Sequence, residues 1–242
     1  MCIRDSSEAA IIKQKQKAFA TLGNMKSAES ETMLLEAIAS LNDGLLPVEF
    51  RLDVLKACEA RGASVGVKAA AYLESLATKP AKTDRYAWAM KGGDPEAGEN
   101  VFRYNGLVSC LRCHRIDGSG GRVGPDLSGV GKQYDHRTIV EAIADPNAKI
   151  ADGFGQIIVE TDEGLLATGI VKEETEEQLA LMDQDGNVTW LDKDSILGRK
   201  DGKSSMPEDL IEKLSKDELR DLVAYLAERV TPVEPAKEEG HE

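Results

Sequence analysis

No stretch of about 18 consecutive apolar residues occurs anywhere in the 242-residue chain, so none of it reads as a membrane-spanning helix. Positive charge is scarce as well. Against 43 Asp and Glu stand 30 Lys and Arg, a formal net charge of −13, and that balance argues against nucleic acid or an anionic bilayer as partner, since both demand clustered cations. Cysteine is limited to Cys2, Cys58, Cys110 and Cys113, too few for a secreted disulfide scaffold. No leader peptide opens the chain. Residues 1–6, "MCIRDS", read as the translation of a sequencing-library adapter, in which Cys2 would have no function and the true N-terminus would lie upstream. On that reading the missing export signal says little about compartment. What the chain does have is 41% hydrophobic content, enough to build one large domain or two to three small ones.

Residues 7–78 read as four helices, with apolar positions at helical spacing and breaks at "GNMKSAES", "NDGLLP" and "RGAS". Two helix pairs offset by about 36 to 38 residues resemble HEAT-type repeats, and two units alone suggest the stub of a longer solenoid. Cys58, on an apolar helical face, is expected to be a small buried hydrophobe. Residues 79–93 read as a linker with apolar anchors at Tyr86, Trp88 and Met90. A new domain over 94–230 starts at "DPEAGENVFRY", where Asp94 suits an N-cap and Pro95 the first helical position. A glycine-rich loop comes after it, then a short helix over 136–145 closed by "DP". Residues 155–200 change period: "QIIVET", "LLATGIVKE", "EQLALMD", "NVTWLD" and "SILGRK" are strand-like, and suggest a small inserted SH3-like β-barrel with Trp190 and Leu191 in its core. Helix returns in "LSKDELRDLVAYLAERV", with Ser215 and Glu218 as a capping box. The charged, proline-bearing tail 231–242 is expected to be disordered. The fold class is thus mainly α with a β insertion.

The chemistry concentrates in "VSCLRCHRIDGSGG". Cys110, Cys113 and His114 could serve three ends. A redox dithiol requires a strand-to-helix junction in a βαβ setting, and here a helical segment precedes and a glycine loop succeeds the pair. A structural zinc site needs four ligands, yet the only other histidines are His136 and His241 and there is no second cysteine pair. Haem attachment needs what is present: two thiols three apart to add to the vinyl groups of one porphyrin, and an adjacent imidazole as proximal iron ligand. CxxCH by itself leaves all three open.

The order of a helix with Gly98 and Phe102, "CLRCH", "VGPDL" and a terminal helix with Tyr225 resembles the class I cytochrome c fold. The succession from "GENVFRYNGLVSCLRCHRIDGSGGRVGPDLSGVGK" through "DPNAKIADGF" and "TDEGLLATGIV" to "SSMPEDLIEKLSKDELRDLVAYL" is more particularly similar to the haem-binding domain family of the Planctomycetes and Verrucomicrobia. Members of that family end large secreted proteins in which a sugar-dehydrogenase-like β-propeller and HEAT-like repeats come first. The resemblance implies one covalent haem c on Cys110 and Cys113, with Pro125 offering its carbonyl to the proximal His114. It also implies a thioether ligand on a loop ahead of the last helix, where Met206 of "KSSMPEDL" stands. Met25 and Met33 lie in the repeat region, Met90 precedes the domain, and Met182 sits mid-strand, where core packing is the expectation.

The resemblance further implies a periplasmic or otherwise exported electron carrier, not an enzyme by itself, that accepts electrons from an upstream dehydrogenase domain or another redox partner protein. Methionine ligation favours ferrous iron and suits such an acceptor. The β insertion is expected to be dispensable for haem ligation, because loop-closure entropy grows slowly with length. Two rival readings remain. One is a peroxidase-like haem enzyme with an open distal site, for which His136 and Arg137 would be the polar candidates. The other is a non-redox interaction module built around a structural metal.

Overall fold

The computed structural model describes residues 3–230; the expected tail at 231–242 lies outside the described residues, as does Cys2. In chain order come helices α1 (Ile3–Asn24), α2 (Ala28–Asn42), α3 (Arg51–Arg61), α4 (Ala63–Ala77), α5 (Pro95–Tyr104) and the single turn α6 (Cys110–Cys113). Next are a short hairpin of β1 (Arg115–Ile116) and β2 (Ser119–Gly120), then α7 (Val130–Gln133) and α8 (His136–Ala144). Five longer strands, β3 (Gly155–Thr161), β4 (Leu166–Glu174), β5 (Gln178–Met182), β6 (Val188–Asp192) and β7 (Ile196–Ser204), precede α9 (Lys216–Ala227). Two compact units share these elements: residues 3–99 with 215–225, and residues 100–214 with 226–230.

In the first unit, helices form where caps and apolar stripes coincide. Ser27 caps α2 by accepting from the Ser30 amide, and Glu29 and Glu31 sit in the first turn, where the helix dipole favours negative charge. Leu34, Ile38 and Leu41 then recur on one buried face. α3 turns Leu52, Val54, Leu55, Ala57 and Cys58 inward and stops at Gly62, whose φ of 67° suits glycine. The Cys58 thiol is wholly buried, and burial lifts it to about 11, which leaves it a neutral core group. Residues 79–93 are firmly seated: Trp88 and Ala89 are buried, and Tyr86 meets Trp88 edge-on. At α9 the capping box forms in full, Ser215 N–H donating to Glu218 and Glu218 N–H to Ser215 Oγ. Arg220 reaches Asp53 on α3 at 2.8 Å with both side chains about nine-tenths buried. Burial pushes the Asp53 carboxyl up, and Arg220 pulls it part of the way back.

In the second unit the five strands form one antiparallel sheet in the order β6-β5-β4-β3-β7, a meander whose last strand returns beside its first. A 3₁₀ turn at Lys193–Ser195 joins β6 to β7. One face carries Ile157, Val159, Leu179, Leu181 and Leu191 against Ala167, Val171 and Ile196. The other face is covered too, since Ile170 and Met182 pack with Val123. Leu179 through Met182 are buried without interruption, the pattern of a strand covered on both sides rather than of a half-exposed one. Leu191 belongs to the core as expected, but Trp190 does not. Trp190 alternates to the opposite face of the edge strand β6 and is 47% exposed. β7 also runs past the expected end at 200, to Ser204.

Close backbone approach decides one glycine on α5. A Cβ on Gly98 would stand 1.9 Å from the carbonyl oxygen of Asp221 on α9, an overlap that only a shift of backbone could relieve. Gly98→Ala is therefore expected to destabilise the fold by about 1–3 kcal/mol. Gly198→Ala on β7, where nothing lies within 4 Å, should be neutral or slightly stabilising. Equal unfolding midpoints for the two variants in urea would contradict this account of the α5–α9 contact.

Candidate haem site

The Cys-His segment is built around one helical turn. Ser109 enters it in the left-handed conformation, φ 47° and ψ 45°, and His114 leaves it extended. Such a short turn has carbonyls to satisfy beyond its own ladder, and the glycine loop satisfies them. His114 N–H donates to Cys110 O, Gly121 N–H to Leu111 O, and Gly124 N–H to Cys113 O, at 2.8–2.9 Å. Close wrapping of this kind excludes side chains. A Cβ on Gly121 would lie 1.9 Å from Arg112 O, and one on Gly124 would lie 2.6 Å from Cε1 of the His114 ring.

His114 is oriented from the far side of the same loop. Its Nδ1 lies 2.9 Å from the carbonyl oxygen of Pro125. A carbonyl accepts only, so Nδ1 carries the proton and donates, which leaves the lone pair on Nε2. Burial lowers the imidazole pKa while the Pro125 hydrogen bond opposes that shift; the net direction is downward and favours the neutral ring. Pro125 is itself held by the three residues C-terminal to it. Leu127 N–H donates to Arg115 O, Asp126 pairs with Arg115 in a parallel β-bridge, and the buried Ser128 hydroxyl donates to Asp126 while accepting from the Asp117 amide.

The thiols are neutral donors rather than poised nucleophiles. Burial pushes Cys110 up to about 11 and also raises Cys113, where Asp185 adds to the rise and Arg112 opposes it. Redox dithiols work through depressed thiol pKa values, so the direction speaks against that use. Among the described residues no group of three or more His, Cys, Asp and Glu side chains converges where an ion could sit. A neutral imidazole with a free Nε2, two uncommitted thiols one turn apart, and a glycine keeping the ring face clear fit a covalently attached haem.

Met206 stands just beyond β7, half-buried, on the irregular segment between that strand and the 3₁₀ turn Leu210–Lys213. Its N–H donates to Ser204 Oγ at 3.2 Å. Met182, by contrast, is 5% exposed and packs in one cluster with Ile170, Val123, Cys113 and Phe154. That cluster joins the β insertion to the Cys-His segment. The outer face of β4 and β5 packs behind Cys113, and Arg112 on α6 pairs with Asp185 at the β5–β6 turn. His136 and Arg137, the polar candidates for an open distal site, open α8, whose N-cap is Asp135.

Sequence reasoning missed Ile170, Gly124, Asp126 and Ser128, and it expected Met182 in a core without its contact to Cys113. Met182 had a signal in the unbroken run "LALM", which is too apolar for a strand with a wet face, and Ile170 is the residue it pairs with on β4. Gly124 stands directly before Pro125, yet only the packed ring explains why it must be glycine. Asp126 and Ser128 gave no pattern of their own.

A family model described as Cytochrome c matches residues 95–164, and the match supports a cytochrome c domain there. The matched stretch contains Cys110, Cys113, His114 and Pro125 and ends within the first hairpin of the sheet, short of Met206. No curated protein matches this chain. A cytochrome c domain implies covalently bound haem c, electron transfer and a redox partner, and such domains are typically exported. Among the described residues no helix is long and apolar enough to cross a membrane.

Gly124→Ala should displace the His114 ring and cost about 1–3 kcal/mol of stability. Met182→Ala should cost about 2–5 kcal/mol through the cavity left against Cys113 and Val123. Chemical denaturation measures both. A wild-type midpoint for either variant would show that the loop or the sheet wall is less tightly packed than described.

Proposed function

We propose that this chain is a c-type cytochrome that carries single electrons, with one haem c attached through Cys110 and Cys113 and ligated axially by His114 and Met206. The observation that carries the reading is the 2.9 Å hydrogen bond from His114 Nδ1 to the Pro125 carbonyl, because it presents Nε2 as a fixed, neutral donor. A haem held by these residues would supply the one-electron ferrous/ferric chemistry. The rest falls to the chain. Cys110 and Cys113 would hold the group through two thioethers, each sulfur bonded to a carbon of a vinyl group and each thiol hydrogen taken up by the neighbouring carbon, with no net oxidation. Gly124 leaves the imidazole room, Pro125 holds its proton, and the outer face of β4–β5 backs Cys113 with apolar side chains. Met206 contributes a soft, uncharged sulfur that favours the ferrous state.

The same reading makes the chain part of an exported protein of the Planctomycetes and Verrucomicrobia haem-binding type. Its haem domain would run over 94–230, with HEAT-like repeats at 7–78 and an SH3-like module at 155–200. Support for that module is the strand order β6-β5-β4-β3-β7 with a 3₁₀ turn before the last strand. Support for the repeats is the succession of two helix pairs, α1–α2 and α3–α4. The donor would be a dehydrogenase domain upstream or a separate redox protein.

Expressed with an export signal and haem-attachment machinery, the chain should keep its haem through acid–acetone extraction, and Cys110→Ala with Cys113→Ala should abolish retention. Met206→Ala should keep the haem but lose the sulfur-to-iron charge-transfer band, lower the reduction potential and bind carbon monoxide when reduced. Haem retained by the double variant would refute attachment. A Met206→Ala protein with unchanged band and potential would refute methionine ligation.

A further inference from the structure

The Met206 segment is short of regular structure, yet hydrogen bonds hold it from both sides, and one side chain makes the decisive pair. Asn147 lies in the turn after α8, between the buried Pro146 and the exposed Ala148. Its Oδ1 accepts from the Ser204 backbone N–H at 2.9 Å, and its Nδ2 donates to Glu208 Oε1 at 2.8 Å. Those partners settle the amide's orientation, since a backbone N–H can only donate and a carboxylate only accept. One carboxamide therefore spans the chain from two residues before Met206 to two residues after it. Around that clasp, Met206 N–H donates to Ser204 Oγ, and Lys203 Nζ lies 2.8 Å from Glu208 Oε1. The ends of the segment are also fixed. Ser204 pairs with Gly155 at the end of the β3–β7 ladder, and the 3₁₀ turn Leu210–Lys213 packs against α8.

We propose that Asn147 is the positioning residue for the distal sulfur: its carboxamide closes the 203–208 segment into a preformed loop that presents Met206 to the iron. This rests on the reading of Met206 as axial ligand. The physical ground is that a thioether is a weak donor, so its hold on the iron depends on how little ordering the loop still needs when the bond forms. A backbone clasped at both flanks has lost that freedom beforehand. Without the clasp the sulfur spends more of its time off the iron, and an external ligand competes more easily. Outer partners of this kind change ligand or metal affinity by about 10–100-fold when removed.

The test is imidazole binding to the ferric holoprotein, with the charge-transfer band and the unfolding midpoint recorded alongside. Asn147→Ala should bind imidazole at least about tenfold more tightly than the wild type. Asn147→Asp keeps the acceptor for Ser204 but sets a carboxylate against Glu208, and should match or exceed that effect. In a Met206→Ala background Asn147→Ala should add nothing, because no sulfur is left to position. In the ferric holoprotein, amide exchange over 203–208 should quicken in Asn147→Ala while exchange in β3–β5 stays unchanged. Wild-type imidazole affinity in both Asn147 variants, with Met206→Ala losing the band, would overturn the proposal and leave Met206 as ligand. Equal effects of Asn147→Ala with and without Met206 would also overturn it, as a general loosening of the fold. If Met206→Ala keeps the wild-type band, the ligand reading fails and the positioning role fails with it.

Discussion

The hydrogen bond between His114 and Pro125 fixes the path of the chain through the Cys-His segment. For Nδ1 to meet the carbonyl, the chain must turn back on α6 within a few residues, and the ring must lie against backbone that carries no side chain at Gly124. Those demands account for the glycine loop, for the left-handed entry at Ser109, and for the pairing of Arg115 with Asp126 that holds the proline in place. Loop residues usually vary in position because few bonds fix them. Here the loop's amides cap the helical turn, so turn, loop and imidazole form one hydrogen-bonded body.

The five-stranded sheet extends that body rather than hanging from it. A meander with its own core on one face could have been a spectator, joined by two flexible crossings. Instead Ile170 and Met182 on the opposite face close over Val123 and Cys113, and the last strand runs to within two residues of Met206. The apolar surface buried there favours attachment of the sheet to the Cys-His segment independently of any hydrogen bond. Asn147 then ties the end of that strand to the turn after α8.

Much of this was legible in the chain. Helix α2 announced itself by its apolar spacing, α8 by its closing "DP" and α9 by its capping box and stripe, and the five strands lie over the runs that alternation and turn residues marked, β7 running on to Ser204. The motif named Cys110, Cys113 and His114, and the order of motifs pointed to Pro125. What stayed hidden depends on which face of a strand meets what. Trp190 and Leu191 are neighbours with equal hydrophobic weight, and period two sends them to opposite faces, but sequence alone did not say that the Leu191 face was the closed core. Asn147 was invisible for a different reason. A single polar residue in a turn has many local partners open to it, and only the tertiary return of Ser204 and Glu208 selects these two.

The pairing of β7 with β3 also works as a measuring rule. Because hydrogen-bonded register counts residues, the ladder from Thr161↔Ile196 to Gly155↔Ser204 sets how much chain remains to reach Met206, and its two bulges are part of that count. Length changes at the far hairpin turn around Gly164, where a Cβ would meet nothing within 4 Å, leave the count untouched. A single residue gained or lost within β7 would rotate every later side chain to the other face and offset the sulfur by one residue's rise. The insertion can therefore diversify in evolution at that tip, while the strand that leads home keeps its length.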